Sequence, residues 1–267
     1  MDKTKVAVII PARLESTRLP NKIMLNINGK TVIQRVYENV RKSYDNANIF
    51  IAADNKEVIE HVSKLGANCV MTDSTLQSGT DRIAAALKEI DPDGTKYDIV
   101  VNFQGDSINV NPAINDDLID TMVTTGADIV TVCQRISRPE EITNPSLVKI
   151  AIGLKDGERI GRCLYFSRSP IPFDRNKNSY VTSFKGGLPD IAYWHIGIYV
   201  YNAKSLQKFV DLPVGVLEAK ERLEQLRALE NGMSIYAVLL DDVRLTKLAP
   251  ADINTQEEYQ DAIRWIK

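Results

Sequence analysis

Three cations, Arg13, Arg18 and Lys22, fall within the segment IIPARLESTRLPNK, directly after an apolar run. Fixed cations between a strand and a helix suit a triphosphate, because charge-assisted contacts to phosphate oxygens strengthen at a partly desolvated site. The segment carries neither the Gly-x-x-x-x-Gly-Lys of a P-loop nor the Gly-x-Gly-x-x-Gly of a dinucleotide fingerprint, and a solvated basic turn is its plainer reading. In VVNFQGDSINVNP a single carboxylate, Asp106, follows an apolar run and the pair Gln104-Gly105. A carboxylate at a strand end is a common way to hold magnesium beside a nucleotide phosphate, since that ion keeps waters and takes only one or two protein carboxylates. A helix N-cap or turn role is the alternative. Gly105 would permit close backbone approach to a ligand. In LQSGTDR, Gln77, Ser78, Gly79, Thr80 and Arg82 make a small-residue turn before a helix start. Such a turn offers N–H groups and hydroxyls to a sugar acid or phosphate, or caps an ordinary helix through Ser78 or Thr80.

The elements that must position these residues are legible as alternation. Apolar β-branched runs at Lys5–Ile10, Asn48–Ala53, Ala67–Met71, Asp98–Phe103 and Asp128–Cys133 read as strands. Helix-period segments lie between them near Thr31–Lys42, Lys56–Leu65, Asp81–Ile90 and Pro112–Thr125. This predicts an α/β fold with a doubly wound, mostly parallel sheet, whose ligands bind beyond the carboxyl ends of the strands. The residues at those ends are Pro11–Lys22, Asp54, Thr72–Ser74 and Gln104–Asp106. After about Thr143 the pattern shifts to shorter runs, Leu147–Ile152 and Ile196–Tyr201, around a polar stretch from Asp174 to Asp190 that reads as a mobile surface loop. Glu218–Glu230 reads as one amphipathic helix with Leu223, Leu226 and Leu229 on its apolar face and Gly232 as its stop, and Thr255–Ile266 as another.

Composition narrows the function classes. The 267 residues are 44% hydrophobic and 25% charged, enough for a substantial core, and the net charge of −2 leaves no basic surplus for a nucleic-acid backbone or an anionic membrane. The apolar segment near the N-terminus is too short for a signal peptide, so a soluble, cytoplasmic protein is expected. Cys69, Cys133 and Cys163 are scattered, and His61 and His195 are the only histidines, so neither a disulfide framework nor a multi-histidine metal site is expected.

Taken together, IIPARLESTRLPNK, CVMTDSTLQSGTDRI, NFQGD, YFSRSPIP, HIGIYVY and LEAKERLEQLRALENG occur in the order found in the 3-deoxy-manno-octulosonate (Kdo) cytidylyltransferases, also called CMP-Kdo synthetases. The chain resembles that family over nearly its whole length. The resemblance implies a nucleotidyltransferase-type fold, a homodimer and the reaction of CTP with Kdo to give CMP-Kdo and diphosphate, for lipopolysaccharide or capsule synthesis. It implies one cytidylyltransferase domain over 1–267, with a nucleotide-binding part (1–143) and a smaller acceptor-binding and dimerisation part (144–267). Pro11, Ala12, Arg13, Lys22, Ser74 and Gln104 would bind the nucleotide, with Arg13, Lys22 and Asp106 catalytic. Gln77, Arg82, Arg168, His195, Tyr199, Glu218, Glu221 and Gln225 would bind the sugar. Without the resemblance, His195 reads as a hydrogen-bonded structural residue, Arg168 as a strand-end salt bridge, and Glu218, Glu221 and Gln225 as the solvated face of a helix.

Two departures touch the metal site. Ser107-Ile108 stands where the family carries Glu-Pro or a similar pair, and DINTQEEY replaces its Val-Asp-Thr-Pro-Glu-Asp-like segment. Asp106 would thus share magnesium with Asn254, which brings no negative charge, or by a local shift with Asp252. An enzyme for a related acceptor (8-amino Kdo, another acidic sugar or a phosphonate) and a non-catalytic nucleotide-binding homologue are the alternatives.

Overall fold

The computed structural model describes residues 3–16, 18–136, 138–155, 157–173, 175, 192–248 and 250–267. The expected surface loop from Asp174 to Asp190 lies outside them apart from Arg175. The chain divides into two compact units, Met1–Asp116 with Val243–Lys267, and Asp117–Asp242. The first of these units ends at Asp116, and the C-terminal segment from Val243 groups with it.

In chain order the first unit holds β1 (Val6–Ala12), a short hairpin of β2 (Asn26–Ile27) and β3 (Lys30–Thr31), α1 (Val32–Val40), β4 (Ile49–Ala53), α2 (Lys56–Ser63), β5 (Asn68–Met71), α3 (Gly79–Ile90) and β6 (Ile99–Asn102). Strand order is β5-β4-β1-β6, every pairing parallel. The order thus runs outward from β1 on one side and resumes with β6 on the other, so the ends of β1 and β6 flank a crevice of the kind where α/β sheets bind ligands. Val6, Ala7, Val8, Ile9 and Ile10 are fully buried, as in a central parallel strand whose sheet is covered on both faces by the crossover connections. Each such Val or Ile is worth about 1.5–3 kcal/mol of transfer free energy, which makes β1 a firm base for the loop it releases at Ala12. At the hairpin tip, Asn28 and Gly29 both adopt positive φ, 47° and 91°, as a two-residue turn between right-twisted strands requires.

Next come α4 (Ile114–Thr125), β7 (Ile129–Arg135), α5 (Pro139–Thr143), β8 (Lys149–Gly153), β9 (Ile160–Ser167), β10 (Tyr193–Asn202), α6 (Ala203–Val210), α7 (Val216–Glu221), α8 (Gln225–Glu230), β11 (Ile235–Leu239) and finally α9 (Gln256–Trp265). The second unit's strands run β10-β7-β11-β9-β8; β11 pairs β7 in parallel, and the remaining described pairings are antiparallel. The expectation of a mostly parallel sheet therefore describes the first unit only. β2, β3, β9, β11, α5 and α6 lie outside the elements that the sequence pattern predicts. Tyr193, Ile196, Ile198, Val200 and Tyr201 of β10 are core rather than free apolar surface.

The single helix expected over Glu218–Glu230 is two helices. Arg222 adopts a left-handed conformation, φ 53°, and ends α7; Leu223 then buries, and α8 starts at Gln225. Gly232, at φ 72°, terminates α8 as expected. Among the described residues no helix is long and apolar enough to cross a membrane.

Candidate active site

The carboxyl ends of β1 and β6 and the start of α3 enclose a cleft of about 270 Å³, lined by Pro11, Arg13, Glu15, Arg18, Lys22, Gln77, Arg82, Gln104, Gly105 and Asp106 among others. Most residues expected to meet the nucleotide therefore converge. Two do not line it: Ala12 is fully buried at the end of β1, and Ser74 sits on the exposed turn after β5. A Cβ on Gly105 would lie 2.5 Å from the Pro11 carbonyl oxygen. Glycine is thus required here by the close passage of two backbones at the strand ends; the near neighbour is the chain's own Pro11. Gln104 Nε2 donates to Asn102 Oδ1 at 3.0 Å, and Gln77 Nε2 to the Thr75 carbonyl at 2.8 Å. Ser78 caps α3: its Oγ accepts from Asp81 N at 3.0 Å while the Asp81 carboxylate accepts from Ser78 N at 3.1 Å.

Arg82, expected to contact sugar, is only 1% exposed, and its guanidinium is engaged by the protein. It pairs with Asp54 Oδ2 at 2.9 Å and donates to the Thr72 hydroxyl. Burial lowers its pKa, the Asp54 charge opposes that shift, and nearby Arg13 adds to it.

On the acidic side of the cleft, Lys22 forms a salt bridge with Asp106 and donates to Asn254 Oδ1 at 3.2 Å. Arg18 donates to the same amide oxygen at 3.0 Å. The segment before α9 is tied to the loop after β6: Ser107 Oγ donates to Asp252 Oδ1 at 2.5 Å, Ile253 N to the Asp106 carbonyl at 3.2 Å, and Asn109 N to the Ala251 carbonyl at 3.1 Å. Ser107, a departure from the family pattern, is thus the residue that holds Asp252. Burial and the like charge of Asp106 push the Asp252 carboxyl up to about 6, against the pull of Ser107 and Lys22. Two mutually repelling carboxylates beside a neutral amide oxygen form a hard-oxygen donor set that fits magnesium. In that set Asn254 Oδ1 is taken by two cations, while Asp252 lies beside Asp106. Among the described residues there is no cluster of three or more His, Cys, Asp or Glu able to hold a metal.

The remaining expected sugar residues lie in the second unit. His195 on β10 is buried, its Nε2 2.9 Å from Thr131 Oγ1. The Thr131 hydroxyl donates to the Ile198 carbonyl at 2.7 Å, so with its one proton spent it accepts from Nε2–H, which fixes the tautomer. Burial drives the imidazole pKa down to about 3, leaving it neutral at physiological pH. The register of β10 shifts between Ile196 and Tyr199, yet His195 and Tyr199 stay opposite Cys133 and Thr131, on one face, with their ring centroids 5.3 Å apart. Burial also raises the Tyr199 phenol well above its ordinary value.

Glu218, Glu221 and Gln225 do not share one helical face, because Arg222 breaks the helix between them. Glu218 forms a two-pronged pair with Arg227, at 2.8 and 2.6 Å, and accepts from Gly215 N at 3.1 Å. The Glu221 carboxylate accepts from Ser167 Oγ at 2.6 Å and Arg168 N at 2.9 Å. Gln225 is buried at the start of α8. Among the described residues Arg168 makes no ion pair in place of the expected salt bridge; its side chain donates to the carbonyls of Glu221, Pro145 and Arg222. Lys149, missed from sequence, is fully buried and donates to the carbonyls of Asn144 and Leu147, its pKa lowered by burial and by Arg168.

Residues 7–235 match the cytidylyltransferase family. The 3-deoxy-manno-octulosonate cytidylyltransferase of Paramagnetospirillum magneticum is 40% identical over 248 residues, covering 92% of this chain and 94% of that protein. Its counterpart in Thermodesulfovibrio yellowstonii is 39% identical over 255 residues, covering 94% of each. A solved CMP:2-keto-3-deoxy-manno-octonic acid synthetase complexed with CTP superposes with a TM-score of 0.82 at 31% identity, covering 97% of both chains. A cytidylyltransferase from Leptospira borgpetersenii, at 16% identity and a TM-score of 0.57, shares the fold. With a phosphate-suited cleft at the strand ends and relatives of this identity across almost its full length, the chain is a nucleotidyltransferase and belongs to the 3-deoxy-manno-octulosonate cytidylyltransferase family.

Proposed function

We propose that the protein joins CTP to 3-deoxy-manno-octulosonate, releasing diphosphate and forming CMP-Kdo for lipopolysaccharide or capsule synthesis. The observation that carries this reading is the convergence of Arg13, Lys22 and Asp106 on one cleft, in a chain of this family. The anomeric hydroxyl of the sugar attacks the α-phosphorus of CTP in line, and diphosphate leaves; no protein nucleophile takes part. Arg13 and Lys22 provide positive charge for the triphosphate, so catalysis is positioning and electrostatic stabilisation. Asp106 and Asp252 would hold magnesium, with Asn254 Oδ1 beside them. Bound there, the ion supplies charge neutralisation for the phosphates and favours the deprotonated form of a coordinated hydroxyl.

Sugar recognition by Gln77, Arg168, His195, Tyr199, Glu221 and Gln225 rests on the family resemblance. Glu218 and Arg82 are engaged by buried protein partners, which favours a supporting role for both. A homodimer in the cytoplasm is the assembly and location that the resemblance supports. Diphosphate release from CTP and magnesium, with Kdo and a panel of other acidic sugars, tests the activity. Release with Kdo is expected to exceed that with every other acceptor; release only with a different sugar, or with none, overturns the assignment.

A further inference from the structure

Asp54 stands at the end of β4 with no place in the chemistry above, yet both of its carboxylate oxygens are used. Oδ1 accepts from the main-chain N–H of Leu14 at 3.1 Å, and Oδ2 pairs with Arg82 at 2.9 Å. The pair is close to fully buried, with side-chain exposures of 7% for Asp54 and 1% for Arg82. Arg82 also donates to the Thr72 hydroxyl and, at 3.4 Å, to the Asp73 carbonyl, both beyond β5. One guanidinium on α3 therefore gathers the ends of β4 and β5, and through Asp54 reaches the loop that β1 releases. Leu14 is the residue after Arg13 and opens the stretch that carries Arg18 and Lys22.

We propose that Asp54 and Arg82 are a positioning pair that sets the nucleotide loop through the Leu14 amide, so that Arg13 is held for the triphosphate before CTP arrives. This rests on the reading of the cleft as the CTP site. A buried ion pair is a weak source of net stability against a hydrophobic replacement, whereas breaking one side leaves an uncompensated charge; what this pair adds is a fixed hydrogen-bond acceptor at one point of a loop. The loop otherwise lacks the glycine-rich backbone cradle that a P-loop provides.

The test compares Asp54→Ala, Asp54→Asn and the double variant Asp54→Ala/Arg82→Met, in which no orphaned charge remains to unfold the protein. Hydrogen exchange at the Leu14 amide, measured without nucleotide, is expected to quicken at least about tenfold in the alanine and double variants, the equivalent of one lost charge-assisted hydrogen bond. Asp54→Asn, which keeps an oxygen, should restore part of the protection. In the same variants KM for CTP is expected to rise about tenfold with a smaller change in kcat. Wild-type Leu14 protection in a folded double variant overturns the proposal, and so does lost protection with an unchanged KM for CTP. Arg13→Ala is the control on the underlying reading: an unchanged KM for CTP there would overturn the nucleotide site itself, while Leu14 exchange would still report on the pair.

Discussion

The ionisable groups around Asp106 in the first unit and the Glu218–Arg227 pair in the second are held in different ways. At the first unit's cleft, Lys22 makes a single-pronged contact to Asp106 and shares Asn254 with Arg18, and Asp252 is held by one hydroxyl beside a like charge. In the second unit the Glu218–Arg227 pair is two-pronged, Glu218 takes a further bond from Gly215 N, and the Arg227 guanidinium lies over the Phe209 ring with 5.0 Å to its centroid. The same residue types thus serve opposite ends. A buried two-pronged pair supports a fold, whereas charges held by single-pronged contacts around an open cleft can exchange those contacts for a phosphate or a metal.

The first way to break this contrast is Asp106→Asn. If the cleft is catalytic, diphosphate release should fall by about a hundred- to a thousandfold, the scale of losing a central electrostatic group, while circular dichroism and thermal unfolding stay near wild type. A folded variant with full turnover would remove Asp106 from the chemistry. The mirror experiment is Glu218→Ala, which leaves Arg227 buried without its partner. It should cost about 3–5 kcal/mol in urea denaturation, and adding Arg227→Met should recover much of that loss. A stable Glu218→Ala protein with impaired use of the sugar would instead place Glu218 at the ligand.

The contrast also explains which parts were legible in the sequence. β1, β4 and β6 were readable because strands buried on both faces leave continuous apolar runs. The cleft is legible because strand ends in an α/β sheet mark where ligands bind, which singles out Arg13, Lys22, Gln104 and Asp106 from sequence. Asp252 was only half readable: its partner Ser107 lies 145 residues away, and no local pattern records such a contact. The break at Arg222 was hidden by its surroundings, since Leu, Glu, Lys, Arg and Gln are all good helix formers. Glu218 and Arg227 are nine residues apart, which on one continuous helix sets them half a turn out of phase. Only the break lets them meet, so the pair and the break explain each other. β9, IGRCLYFS, mixes polar and apolar residues and so carries a weak strand signal, whereas β11, IYAVL, is a short continuous apolar run of the kind a buried strand leaves. The Asn28-Gly29 turn carries a strong local hairpin signal in its own two residues.

A smaller effect sharpens the second unit's side of the comparison through pH. With the folded His195 pKa near 3 and the unfolded value near 6.5, the unfolded chain binds the extra proton across that interval. Stability is therefore intact above about pH 6.5 and falls as pH drops toward 3. Between pH 7 and 5 the loss should be about 2 kcal/mol from this group. His195→Gln, which cannot charge, should flatten that part of the profile; an unchanged slope would mean that another group causes it.

The smallest effect separates Asn254 from Asp252. Thr255 caps α9, its Oγ1 accepting from Glu258 N at 3.2 Å, while the Glu258 carboxylate takes the amides of Asn254 and Thr255 at 2.6 and 2.9 Å. Asp252, by contrast, is fixed from the other direction by Ser107. Thr255→Ala should therefore loosen Asn254 and leave Asp252 in place, at a cost of about 1 kcal/mol, or roughly 2–4 °C in melting temperature for a chain of this size. If Asp252 is the second carboxylate, magnesium titrated against this variant should bind as tightly as to wild type, while Ser107→Ala, which frees Asp252, should weaken it. The opposite pattern would return the metal to Asn254 and reduce Asp252 to a strut between the loop after β6 and the start of α9.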